Sequence, residues 1–250
     1  MERRLRIIGA IIAVIGAIAV IGGGYGYTRV QQGADALQGF SEAQGVTLSY
    51  QDGQLVDRGT TEGAQNIKAL LGETWKWPIA EGELDPNDPL VDTGTEYMYQ
   101  MATIAYHTLH GTQNVTLPSR VEWDGDNDGT VAADAPVYSP ATLPDGVWDP
   151  TVEGYGDAVF EPGTYVVPVA ERYWTGFNRL HPLDGPAREL SWNGTVHGLF
   201  AELGVGATTY SALQLGQALA LIAIAFGAAF IIAGLGILWV GMAKREPASA

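Results

Sequence analysis

The 250-residue chain contains no cysteine, so disulfide staples and thiolate metal sites are excluded. Basic residues are scarce: 13 Lys and Arg stand against 28 Asp and Glu, a formal net charge of −15. A surface that acidic repels nucleic acid and anionic lipid and attracts cations or basic partners, which argues against a nucleic-acid partner. There is no internal repeat, no low-complexity tract, no G-x-S-x-G nucleophile turn and no H-E-x-x-H zinc motif. Charge of either sign is absent from two long stretches, residues 7–27 and 218–243.

Those two stretches organise the rest. The second is Leu, Ile, Val and Phe broken mainly by glycine and alanine. As a helix it would cover roughly 39 Å, more than the ~30 Å hydrocarbon core of a bilayer. The first is its counterpart. The pattern predicts a membrane protein: transmembrane α-helices over 7–27 and 211–243 flank one extracytoplasmic α+β domain over 28–210, with short tails at 1–6 and 244–250. Arg3, Arg4 and Arg6 precede the first helix, and Lys244 and Arg245 follow the second. The positive-inside rule therefore predicts a plasma-membrane protein with both termini cytoplasmic. Tyr25, Tyr27 and Trp239 sit where amphipathic rings favour the interface. The Ala17-Ile18-Ala19 triplet lies inside the first apolar run and not after it, which favours a retained signal anchor over a cleaved peptide.

Between the helices lie 8 of the basic residues and 26 of the acids. Residues 30–43 read as a weak separate helix. Alternating apolar residues on both sides of Asp52-Gly53 predict a hairpin, because glycine tolerates the positive φ of a tight turn. A helix should follow from Thr60 or Thr61 to a stop at Gly72, and another over 95–110. Short strands are expected at 115–117, 121–123 and 163–169, with mostly loop over 124–163. Two further helices are expected over 172–180 and 187–203, separated by the His181-Pro182 to Pro186 break.

The best site signal is Asp124-Gly-Asp126-Asn-Asp128-Gly129-Thr130. Carboxylates at positions 1, 3 and 5 with glycine at 6 match the first half of a calcium loop. Alanine at Ala132 and Ala135 replaces the ligands of positions 9 and 12, so the stretch resembles the short DxDxDG calcium motif and not a full EF-hand. Asp124, Asp126, Asp128 and Thr130 are the candidate metal residues, with Asp134 as the missing carboxylate and Ca2+ as the one candidate cofactor. The alternative is an acidic turn that binds nothing. His107 and His110, three apart on one helix, could share a metal with His181 or His197, but hydrogen-bonded histidines are the simpler reading. Six tryptophans of the domain serve as core anchors or line a cleft. Asn114-Val-Thr116 and Asn193-Gly-Thr195 fit the glycosylation pattern. No catalytic residue is selected.

Glycines recur seven apart in both apolar helices: Gly9, Gly16 and Gly23, then Gly227, Gly234 and Gly241. Such stripes let helix backbones approach, and matching by depth pairs Gly9 with Gly241, Gly16 with Gly234 and Gly23 with Gly227. The same stripes could instead serve a neighbouring subunit. Three functions remain in order of preference. The first is a non-enzymatic plasma-membrane protein whose domain binds or scaffolds an envelope partner, as an accessory subunit would. Next comes a calcium-stabilised ligand-binding module or sensor, and last an extracytoplasmic hydrolase using acidic residues. The partners expected are the lipid bilayer and a membrane or envelope protein.

Overall fold

A computed structural model of the chain describes residues 2–242; the basic pair Lys244–Arg245 and the end of the second apolar run lie outside them. Two long apolar helices flank a small α+β region. The chain divides into two compact units, one formed by residues 2–47, 90–94 and 206–242, the other by 48–89 and 95–205.

In the first unit, α1 runs unbroken over Glu2–Gln44. At 43 residues it extends to about 65 Å. The separate helix expected over 30–43 is therefore its continuation, since no proline or left-handed glycine interrupts it before Gly45. Gly45, at φ 63°, donates its N–H to the Ser41 carbonyl and ends the helix in the left-handed conformation that only glycine adopts cheaply. The chain then pairs briefly with 90–94, Val91 donating to the Val46 carbonyl. The last helix of the chain spans Gly194–Met242, and its part from residue 206 lies against α1 within this unit. Among the residues of α1, only Gly9, Gly16, Gly23 and Ser41 are buried, and opposite them the buried positions recur at Ala220, Gly227, Gly234 and Gly241.

The second unit opens with the expected hairpin: β1 (Tyr50–Gln51) and β2 (Gln54–Leu55) pair antiparallel around Asp52 and Gly53, both at positive φ. Helix α2 (Thr61–Ala69) starts at Thr60, whose side chain accepts the Gly63 N–H. Gly72 does not stop it. The chain widens there into a π-turn over Leu70–Thr74, closed by the Trp75 N–H on the Leu70 carbonyl, and Ile79 packs on Gly72. Helix α3 spans Gly94–Leu109. Strand β3 (Thr112–Leu117) pairs antiparallel along its whole length with a strand at Gly163–Pro168. A second sheet has β6 (Ala158–Phe160) at its centre, antiparallel to β4 (Val121–Trp123) and parallel to β5 (Val137–Tyr138). One helical turn, α4, covers Pro150–Glu153, and the strand paired with β3 is β7. So the stretch expected to be mostly loop holds the buried central strand β6, too short to show a period.

The core of this unit gathers Val115, Trp148, Phe160, Tyr165, Val167 and Leu183, all at most 3% exposed. A second cluster holds Ala105, Leu109, Val169, Phe177 and Trp192. The helix expected over 172–180 is absent apart from a 3-10 turn at Trp174–Gly176. Side chains take the carbonyls instead: Arg172 donates to Pro168 and Val169, Trp192 to Arg172, and Arg188 to Trp174. With those groups satisfied, the backbone gains little from coiling. Likewise 187–203 is not one helix. Helix α5 spans Asp184–Ser191, and Asn193 starts α6 (Gly194–Met242) by accepting the N–H groups of Thr195 and Val196.

Candidate functional site

The acidic loop joins β4 to β5. Carboxylate oxygens of Asp124, Asp126 and Asp128 lie within 4.8 Å of one another, the one such group of acids and histidines among the described residues. Backbone geometry gathers them. Asn127 and Gly129 have positive φ, and the turn folds the chain back over its own carboxylates. Asp124 accepts the N–H groups of Asp128 and Gly129, Asp126 also faces the Asp128 N–H, and Asp128 accepts both the N–H and the hydroxyl of Thr130. Thr130 thus bonds Asp128 through its side chain, and Asp134 lies outside the group of three.

A fourth carboxylate, Asp157 beside β6, ties the loop down. Its two oxygens accept the Gly125 and Ala132 N–H groups at 2.8 and 2.7 Å. Those bonds, Ala132 first and Gly125 second, hold its pKa below the ordinary carboxylate value. Asp126 shifts the other way. The Asp128 N–H pulls its pKa down, but partial desolvation and the neighbouring Asp128, Asp124 and Asp157 carboxylates outweigh that bond. Nothing in the local sequence marks Asp157, because it enters from the far side of the strand pairing. Three converging carboxylates, with Asp126 raised by its neighbours, offer the oxygen donors that suit a hard cation.

The histidines do not gather. His107 places Nε2 2.9 Å from Asp57 Oδ1, while His110 turns to the Tyr106 carbonyl. His197 packs edge-on against Trp174. His181 is buried, stacked on Trp148 at 4.3 Å and met edge-on by Trp123, Tyr155 and Phe160. Its Nδ1 accepts the N–H groups of Leu183 and Asp184, both at 3.2 Å, and so caps α5 from three residues upstream. Burial pushes its pKa down to about 4 against a smaller opposing pull from Asp184. Beside it lies a network the sequence does not advertise: Arg172 and Tyr155 converge on Asp184 at 2.6 and 2.7 Å, and the Asn178 N–H joins them. The Tyr155 pKa is raised, chiefly by burial and then by Asp184.

The tryptophans are anchors. Trp75 donates to Tyr173, Trp123 to the Tyr155 carbonyl and Trp192 to the Arg172 carbonyl, while Trp174 lies under the Arg188 guanidinium. Trp148 is core, and Trp77 buries its indole N–H. Trp75, Trp174 and Trp192 pack together in the second cluster. Asn193 spends its side-chain oxygen on the α6 cap, and Asn114 lies in β3.

Within the helical unit, the glycines meet at van der Waals contact. A Cβ on Gly9 would lie 2.7 Å from the Gly234 carbonyl oxygen, and one on Gly16 2.5 Å from that of Gly227. Gly23 faces Ala220 in the same way, and Gly241 faces Arg6. The register is therefore one heptad away from the depth-matched pairing. Two features account for this. Ala220 extends the small-residue series of α6 by a heptad, and the Arg6 guanidinium donates to the Gly241 carbonyl at 2.7 Å, filling the place where Gly9 was expected. Farther along, glutamines Gln31, Gln38, Gln214 and Gln217 line a 360 Å³ cavity between the two helices. No protein-family model, curated protein or solved structure matches the chain, so its reading rests on the residues above.

Proposed function

We propose that the chain is a membrane hairpin, both ends cytoplasmic, that displays its α+β unit outside the cell membrane as a non-enzymatic scaffold for an envelope partner. The observation that carries the membrane part is exposure. Only 11% of the most apolar window of each long helix is buried. Ile11, Ile18 and Ile21 on α1, and Leu219, Phe226, Phe230 and Ile232 on α6, all point away from protein. A core helix of that length would be covered; contiguous apolar surface on this scale calls for lipid. Arg3, Arg4 and Arg6 at one end of α1 and Lys244–Arg245 after α6 support the orientation. Two single spans with no charge within their apolar runs offer no pathway for a solute, which favours an accessory role over transport. Purification from native membranes in mild detergent tests the role. A stoichiometric membrane or envelope protein should co-purify, and a chain that emerges alone contradicts the proposal.

A second reading concerns the acidic loop: Asp124, Asp126 and Asp128 hold one Ca2+ that braces the α+β unit. Their convergence within 4.8 Å favours it. Calcium should raise the melting temperature of the full chain by mass action, and Asp126→Ala should remove that rise. Identical melting curves in calcium and in chelator would reduce the loop to a solvated turn.

A further inference from the structure

The C-terminal turn of α3 opens onto a cleft of 580 Å³. Leu70 and Leu109, the phenols of Tyr106 and Tyr173, and the carboxylates of Glu73 and Glu171 line it, with no lysine or arginine among its lining residues. Its backbone is unusual on both sides. The π-turn at Leu70–Thr74 widens one wall, a distortion that recurs at functional sites. On the other, Ala170 and Glu171 both adopt positive φ, 52° and 60°. Both conformations are strained for a residue with a side chain, and such strain persists only where the surroundings enforce it. Here the Glu171 N–H on the Leu109 carbonyl and the Val169 N–H on that of Gly111 pin the segment to the end of α3.

The decisive geometry is at His110. Its Nδ1 lies 2.8 Å from the Tyr106 carbonyl oxygen. A carbonyl can only accept, so Nδ1 carries a proton, and a ring protonated there alone presents a lone pair at Nε2. That Nε2 lies 3.7 Å from Glu171 Oε1. Two acceptors at this distance do not bond each other, but one nitrogen donor about 2.9 Å from both fits between them. The negative end of the α3 dipole points to the same turn. A positive charge, at least two N–H donors on one nitrogen and an apolar body together specify an organic ammonium ion.

We propose that this cleft binds a primary ammonium group on an apolar body, donating to His110 Nε2 and Glu171 Oε1 while Tyr106 and Tyr173 pack against the carbon skeleton. Glu73 supplies a second negative charge. The ammonium comes from a free small amine or from a lysine side chain, and the chemistry is shared. The site stands apart from the acidic loop and from the apolar helices, so its failure leaves those readings untouched.

Calorimetric titration of the full-length chain in detergent at pH 7.5 tests it with three probes: phenethylammonium chloride, N-acetyl-lysine amide and neutral 2-phenylethanol. At least one ammonium probe should bind saturably, and 2-phenylethanol should not. Glu171→Gln, at an exposed position, should weaken that binding tenfold or more. Glu122→Gln, exposed on β4, should leave it unchanged. Tighter binding of phenethylammonium identifies a free amine as the source, and tighter binding of the lysine amide a polypeptide. Absence of binding by both ammonium probes, equal binding of 2-phenylethanol, or an affinity indifferent to Glu171→Gln would overturn the proposal.

Discussion

Acidification should unfasten the α+β unit through His181. Its pKa is pushed down to about 4 from an ordinary 6.5, so between those values the unfolded chain binds a proton that the folded chain refuses. Stability is therefore complete above pH 6.5 and is lost as pH falls towards 4. At 1.36 kcal/mol per pH unit, the full window is worth about 3 kcal/mol, a large share of a typical domain's 5–15 kcal/mol. The structural cost is specific. A proton on Nδ1 removes the acceptor for the Leu183 and Asp184 N–H groups and puts a positive charge against the N-terminus of α5. Chemical unfolding followed by tryptophan fluorescence from pH 7.5 to 4.5 reads it, since Trp148 stacks directly on the ring. His181→Asn keeps an acceptor in place but cannot titrate; it should start less stable at pH 7.5 and show a flatter slope between pH 6.5 and 4.5. Asp126 contributes with opposite sign near its raised pKa, so Asp126→Asn is the companion control. Equal slopes for wild type and His181→Asn would refute the assignment.

Two other perturbations follow from the same structure. A Cβ on Gly26 would lie 3.8 Å from that of Ala220, the usual Cβ separation in a disulfide, so Gly26→Cys with Ala220→Cys should crosslink within the chain. Gly22→Cys with Ala220→Cys should not, because Gly22 faces open space; equal yields, or links only between chains, would contradict the observed register. Asn193→Ala removes the α6 cap and should cost about 1 kcal/mol in chemical unfolding, whereas Asn193→Asp should cost little. No change on Asn193→Ala would show that the cap is dispensable.

The long helices are legible because their signal is an absence of charge, which no tertiary contact can disguise. The glycine stripes show in the heptad spacing for the same reason. Their register does not, since it turns on Arg6 reaching the Gly241 carbonyl and on Ala220 serving as a small residue. Local turn chemistry reads well where one residue decides, as at Asp52-Gly53 and Thr60. It fails where distant side chains satisfy the backbone: residues 172–180 have a helical composition, but Trp192 takes the Arg172 carbonyl and Arg188 that of Trp174. The acidic loop announces Asp124, Asp126 and Asp128 by spacing, whereas Asp157 joins only through the β4–β6 pairing. The α3 cleft is still less visible, because it depends on a π-turn and two left-handed residues that composition does not encode.

Protease accessibility on intact cells carrying a tag at each terminus tests the central claim most directly. If both apolar helices cross the membrane with Arg3, Arg4, Arg6, Lys244 and Arg245 inside, external protease digests the α+β unit and spares both tags. Loss of either tag, or an α+β unit that resists digestion until the membrane is opened, would contradict the hairpin and its orientation.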